Sequence, residues 1–347
     1  MRNSEREDGG RITERLLKFA DFVEGQAPLY SQILRATADD PAVVEIIGHA
    51  EYEQPPANII LAAVQYLLLG GEGPELAAWY PVLEAGAPEG DPAALFCEFV
   101  AGHRDALVSL VSTRTVQTNE VRRCVALVPA FATVAAETGK PLALLEIGPS
   151  AGLNLLFDRY RYDYGPHGMT GPIDSSVTLT TEVRGGEPPV PDPLPAVAWR
   201  RGIDLHPVDV TDPDAVRWAR SLLWPEQVER TERFLAAVAI AAPNPPPLVQ
   251  GNAIDLLPET IAGVPEACSL VVYHSFALNQ FSPDARSEVG TLLREASRHR
   301  RIDRIGIEML SPDVPHADIR HTMYRGGEAE ESTLGATHHH GAWIRWN

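Results

Sequence analysis

Residues 142–160, LALLEIGPSAGLNLLFDRY, concentrate more chemistry than any other stretch of the chain: an apolar run, an acid, a glycine-bearing turn and a helix-like pattern. Two chemistries use that design. Glu146-x-Gly148-x-x-x-Gly152 suits a loop that wraps a bound cofactor, with glycines for the sharp turn and the close backbone approach. The same residues spell G-x-S-x-G, the nucleophile elbow of a serine hydrolase, with Ser150 as nucleophile. An elbow follows a strand in the middle of the sheet order, so several strands should precede it. Its oxyanion hole also needs a second strand–helix loop upstream. Here about 140 residues of helical pattern come first and LALLEIG reads as the first strand, which favours the cofactor loop. Triad partners for Ser150 can be found in order (Asp255, then His316 or His338), but Asp and His are common enough to supply them by chance.

Other residues fall where chemistry could use them. RRGIDLHP puts Asp204 at the end of an apolar run, LVQGNAIDLLP offers Asn252 and Ala253 at the next, and SLVVYHSFAL ends in Tyr273, His274 and Ser275. His274 could take a proton from an acceptor oxygen or nitrogen, because an unperturbed imidazole titrates near neutral pH. Glu308, closing IDRIGIE, could orient a substrate amine or pair with a nearby arginine. In RTVQTNEVRRC, Thr118 or Asn119 reads as an N-cap with Glu120 favouring the positive helix end, and Asn119 and Glu120 stay site candidates beside that role. Tyr160, Tyr162 and Tyr164 could form an aromatic rim, although packing of the segment explains them as well. His338 and His340 alternate in THHHGAW, but two ligands are too few for a closed metal site, so a polar turn is expected and no metal. Trp343 and Trp346 read as core or interface residues.

The elements that must carry these residues divide at about residue 138. Before it lie amphipathic helical patterns such as RITERLLKFADFVEG, with Ile12, Leu16, Phe19 and Val23 on one face. Asp40-Pro41 signals a helix start, Gly70-Gly71 and Gly139 signal ends, and Pro129 predicts a kink or a split. After it, short apolar runs alternate with helix-like stretches, which argues for a parallel sheet covered on both faces, with STLGATHHHGAWIRWN as a closing antiparallel hairpin. We therefore expect an α/β protein: a helical domain over residues 1–138, then a Rossmann-like domain over 139–347. Residues 161–198, with five prolines between 188 and 195, form an insertion expected to fold over one rim as a lid.

Composition narrows the function. Lys plus Arg total 29 against 47 Asp plus Glu, a formal charge of −18 that repels phosphate backbones and argues against general nucleic-acid binding. Cys97, Cys124 and Cys268 are widely spaced in apolar settings and read as buried reduced thiols. The N-terminus has no apolar signal core, and the longest apolar segment, Ile59–Leu69, is too short to span a bilayer, so a cytoplasmic protein without membrane contact is expected.

Residues 140–310 resemble a class I S-adenosylmethionine-dependent methyltransferase domain. The whole chain resembles an uncharacterised bacterial family, domain of unknown function 2332, through TNEVRRC, EIGPSAGLNLLFDRYRYDYG, WRRGIDLHPVDVTDPD, WPEQVER, YHSFAL and HHHGAWIRW. The methyltransferase resemblance implies that Glu146, Gly148, Ser150, Gly152 and Asn154 meet the amino-acid end of S-adenosylmethionine. It implies that Asp204 accepts the ribose hydroxyls, and that Asn252 and Ala253 read the adenine. The small-molecule acceptor would lie near Tyr273 and His274, with Asn119, Glu120 and Tyr162 as lid or substrate residues. Two positions depart from the family pattern: Pro149-Ser150 replaces the middle glycine of the loop, removing an N–H and adding a Cβ, and Asn252 stands where Asp is commoner.

Overall fold

The structure, a computed structural model, describes residues 9–51, 54–83, 86–309, 314 and 316–347. The chain begins with helices α1 (Gly9–Val23), α2 (Pro28–Thr37), α3 (Pro41–Ile47), α4 (Pro56–Leu69), α5 (Pro74–Ala77), α6 (Pro92–Gly102), α7 (Arg104–Thr113) and α8 (Cys124–Thr138). Local rules explain their ends. Prolines open five of the first six helices, where a missing N–H costs nothing. The Asp40 side chain accepts from the Ala42 and Val43 N–H groups to cap α3, and Gly139 ends α8 at φ +63°. Pro129 lies inside α8 without dividing it.

Strands β1 (Leu142–Ile147), β2 (Arg161–Asp163), β3 (Met169–Thr170), β4 (Thr178–Thr180), β5 (Glu182–Val183) and β6 (Val197–Asp204) follow, then helices α9 (Pro213–Ser221) and α10 (Val228–Ala241). The chain closes with β7 (Leu248–Gln250), α11 (Ala253–Ala262), β8 (Ser269–Ser275), α12 (Pro283–Ala296), β9 (Ile302–Glu308), β10 (Ala317–Arg325), β11 (Glu328–Thr337) and β12 (Trp343–Trp346).

Two compact units result, residues 1–118 with 212–235, and residues 119–211 with 236–347. The division falls at Thr118 rather than 138, because α8 is buried on nearly every side and belongs with the sheet. Segment 212–235 returns to the helical unit: Trp218 joins its core and bonds the Thr115 carbonyl through Nε1 at 2.9 Å. In that unit α4 is the buried centre, and its one polar residue in the buried stretch, Gln65, takes the Tyr30 hydroxyl at 2.7 Å and donates to the Leu223 carbonyl at 2.9 Å.

The second unit is built on a nine-stranded mixed sheet of order β5-β12-β11-β10-β9-β8-β1-β6-β7. Strands β7, β6, β1, β8 and β9 are parallel, in the spatial order third, second, first, fourth, fifth; β10, β11 and β12 extend the sheet antiparallel. The chain leaves β1 toward one side and later returns to its other side with β8, so the order reverses between these neighbours. Open α/β sheets bind ligands outside the carboxyl ends of the strands at such a point. Ala143, Leu145 and Ile147 face α11 and α12 through Leu257, Ile261, Val289 and Leu293. The alternate face meets α8, where Phe131 packs edge-on against Tyr273 with ring centroids 5.2 Å apart.

Two further expectations change. No α-helix follows the loop after β1; residues Leu153–Arg159 form a 3-10 segment broken at Leu156, φ −101°. The carbonyls a helix would use are taken: Leu153 by the Tyr160 hydroxyl, Leu155 by Arg200 and Phe157 by the Tyr162 hydroxyl. The insertion is not a simple flap. It builds a small sheet, β3-β2-β4, and then lays β5 along β12 at the edge of the large one. Strand β10 lacks a clear apolar alternation, so the sequence pattern does not announce it; β11 and β12 do form the expected antiparallel pair.

Candidate functional site

The loop after β1 is glycine-rich for reasons internal to the protein. Gly148 and Gly152 both take φ +69°. A Cβ on Gly148 would stand 2.6 Å from that of Ala277, and one on Gly152 would stand 2.7 Å from Pro246. Ser150 holds φ +53° without being glycine. The loop is fastened donor by donor: Gly148 N–H to the Ile203 carbonyl, Ser150 N–H to Asp204 Oδ2 at 2.8 Å, Ala151 N–H to Asn119 Oδ1 at 3.1 Å, and Gly152 N–H to the Pro149 carbonyl. Pro149 has no N–H to give. Every backbone donor from 148 to 152 is therefore spent inside the protein, and none is left to cradle a phosphate.

Asn119 and Glu120 divide the two roles foreseen for one residue. Glu120 is the cap, accepting from the Arg122 N–H at 3.0 Å at the start of the 3-10 turn Val121–Arg123. Asn119 is not; its side-chain carbonyl holds the Ala151 N–H, while its Nδ2 is buried with no hydrogen-bond partner among the described residues. A buried amide donor without a partner costs about 1–3 kcal/mol, a cost that a ligand could relieve.

Two carboxylates stand at the ends of neighbouring strands. Asp204, 8 % exposed, spends one oxygen on Ser150 N–H and the other on His206 N–H, each at 2.8 Å. Glu146, 2 % exposed, accepts the Tyr273 hydroxyl at 2.9 Å. Burial pushes the Glu146 carboxyl up to about 8, against the bonds from Tyr273 and Asn154 and with Asp204 adding to the rise. Asn154, half-buried, also takes the Cys124 thiol on its Oδ1 at 3.3 Å, so it links buried Glu146 and Tyr273 to Cys124 in one polar chain. Next along the rim, Asn252 is exposed and caps α11 by accepting from the Ile254 N–H at 3.0 Å; Ala253 is buried as the first residue of that helix.

Beyond β8 the backbone again enters the left-handed region, at Phe276, φ +56°. Ser150 and Phe276 are the two non-glycine residues with positive φ among the described residues, and they follow adjacent strands. Strain of this kind costs on the order of 1–3 kcal/mol and collects at functional sites. The Phe276 ring lies under the Arg123 guanidinium, 4.4 Å from its centroid, and Arg123 also donates to the Ser275 carbonyl and hydroxyl and to the His339 carbonyl. Sequence reasoning missed Arg123 and Phe276; both lie in blocks that stood out, but neither φ nor a stacked cation has a local signature.

His274 and Glu308 come together. His274 Nδ1 is 2.7 Å from Glu308 Oε1, and the ring, 3 % exposed, lies over Gly306, where a Cβ would stand 2.8 Å from Cε1. The carboxylate favours the tautomer with its proton on Nδ1, leaving on Nε2 a lone pair that is buried without a hydrogen-bond partner among the described residues. Burial pulls the imidazole below its ordinary value despite the pull of Glu308. Glu308 forms no ion pair with an arginine among the described residues. It also accepts the N–H groups of Ala277, Leu278 and Asn279, pinning the turn behind Phe276. Burial pushes Glu308 up, but the bond and charge of His274 and those backbone donors outweigh it and hold it below the usual range.

Several candidates take structural roles. Tyr160, Tyr162 and Tyr164 are wholly buried, each hydroxyl bonding a backbone carbonyl, so Tyr162 forms no rim. The histidines at 338–340 form a turn closed by the Gly341 N–H on the His338 carbonyl. No group of three or more metal-ligating side chains occurs among the described residues, and none of their helices is long and apolar enough to cross a membrane. The three cysteines are free thiols.

The sequence model of a family described as "Uncharacterized protein conserved in bacteria (DUF2332)" matches residues 13–346. No curated protein matches the chain.

Proposed function

We propose that this chain, which belongs to that bacterial family, transfers a methyl group from S-adenosylmethionine to a small-molecule acceptor. One observation carries the reading. Buried Glu146 and Asp204 close adjacent strands on either side of a loop whose backbone donors are all used internally. Such a rim suits cationic and hydroxyl groups and offers no seat for a pyrophosphate. That favours a sulfonium amino-acid nucleoside over a dinucleotide, and the strand order and the switch point beside β1 agree with it.

The residues present fit such a cofactor. Glu146 would face its amino-acid end, Asp204 its ribose and Asn252 its adenine edge. Bound there, the cofactor would supply an electrophilic methyl. The protein's part is alignment and proton removal. His274, kept neutral by burial and held through Nδ1 by Glu308, presents Nε2 as the base for an acceptor O–H or N–H. Asn119 Nδ2 adds a buried donor at the loop.

Isothermal titration with S-adenosylmethionine, followed by transfer of labelled methyl into a metabolite extract, tests the reading. Saturable binding with labelled product is expected. Binding without product would reduce the protein to a ligand-binding module, and no binding would end the proposal. Ser150 at φ +53° favours one other reading, since a nucleophile elbow needs such a strained serine. Labelling of Ser150 by a fluorophosphonate probe would decide for that hydrolase instead. Against it, β1 is the first strand among the described residues.

A further inference from the structure

Glu146 is a buried acid with no ion-pair partner among the described residues. From β8, the Tyr273 hydroxyl donates to its Oε2; the Asn154 side chain donates from the 3-10 segment after β1; the Cys124 thiol stands behind Asn154 from α8. Asp204, at the end of β6, faces it as a like charge. The Arg123 field reaches it from the 3-10 turn, but that guanidinium bonds Ser275 and His339, and Glu146 forms no ion pair among the described residues. A carboxylate removed from water in that way, beside another carboxylate, is unstable as an ion unless a cation arrives.

We propose that Glu146 stands as the neutral acid in the free protein and that the site takes ligands whose ammonium or sulfonium group displaces its proton, so that binding and proton release are one event. The acid gives its proton to the buffer, the ligand keeps its own charge, and the ion pair forms between them. The identity of the ligand rests on the methyltransferase reading; the neutrality of Glu146 does not.

The sign of the pH dependence follows. Burial sets the free acid near 8, so below that pH each binding event expels close to one proton, and affinity climbs roughly tenfold per pH unit before levelling off above it. Stability runs the other way. The folded chain holds a proton that the unfolded chain has lost, so stability falls as pH rises from the ordinary carboxyl value of 4.5 toward about 8.

Infrared difference spectra of the free protein against Glu146→Gln, in mildly acidic and in alkaline buffer, read the acid directly. Titration of S-adenosylmethionine at neutral pH in two buffers of unlike ionisation enthalpy reads the proton. We expect a neutral-carboxyl carbonyl band that is lost in alkali and absent from the Gln variant. We also expect nearly one proton released by the wild type and none by the variant. A Glu146 already ionised in acidic buffer overturns the proposal, and so does tight binding with no proton released. A neutral Glu146 with no binding at all removes the methyltransferase reading and the exchange with it, while the neutral acid stands. Should the variant not fold, the wild-type pH series in both measurements decides the same points.

Discussion

At the amino-terminal rim of the large sheet, a cavity of about 1000 Å³ is bordered by Lys140, Arg300, Arg301, Asp303, Glu137 and the start of β8. At the carboxyl rim stand Glu146, Asp204, His274, Ser150 and Phe276. The second rim carries the groups suited to chemistry. Around the cavity, Arg301 donates to Asp303 and Glu137, His321 shares Asp303 at 2.8 Å, and Arg300 donates to the carbonyls of Val264, Pro265 and Cys268. Across the sheet, Glu146 has no counter-ion, Asn119 Nδ2 and His274 Nε2 have no partners among the described residues, and two side-chain-bearing residues hold left-handed backbone. Buried polar groups left uncompensated at one end of a fold mark where a ligand is expected to complete them.

The largest effect should come from Asp204→Ala. It leaves the Ser150 and His206 N–H groups without their acceptor, so thermal unfolding should show a loss of about 3 kcal/mol and titration a loss of at least about 100-fold in S-adenosylmethionine affinity. Full affinity in that variant would separate the loop from the ligand and break the contrast between the rims. Arg301→Ala is the matching change at the other rim. It takes one partner from buried Asp303 and should cost about 2 kcal/mol in denaturant unfolding with S-adenosylmethionine affinity unchanged, since His321 still satisfies the acid. A fall in affinity there would mean the two rims are coupled. Smaller still, Gly306→Ala sets a Cβ against the His274 ring, which Glu308 holds from behind. About 1–2 kcal/mol of destabilisation is expected, with displaced imidazole resonances of His274 in the NMR spectrum. Unmoved resonances would show that the ring is not wedged between Gly306 and Glu308.

Much of this arrangement is legible in the sequence, residue by residue. Asp204 could be placed at a strand end because RRGIDLHP breaks an apolar run with an acid. Gly148 and Gly152 announce a turn, although the atoms that require them, Ala277 and Pro246, lie far along the chain. The pattern LNLLFDRY misleads, because its apolar spacing suits a helix while its carbonyls are claimed by Tyr160, Tyr162 and Arg200. Helix α9 could be read from its periodicity, but not that Trp218 would carry it into the helical unit.

What the amino-acid sequence determines by itself is therefore most of the elements, several of their caps and the acids and glycines at their ends, because periodicity, capping and turn chemistry act within a few residues. Tertiary structure decides the pairings: His274 with Glu308, 34 residues apart; Asp204 with Ser150, 54 apart; Glu146 with Tyr273, 127 apart. It decides too that Glu146 is buried with no ion pair among the described residues. Burial and counter-charge are properties of what closes over a side chain, and those neighbours come from elements that no local pattern connects.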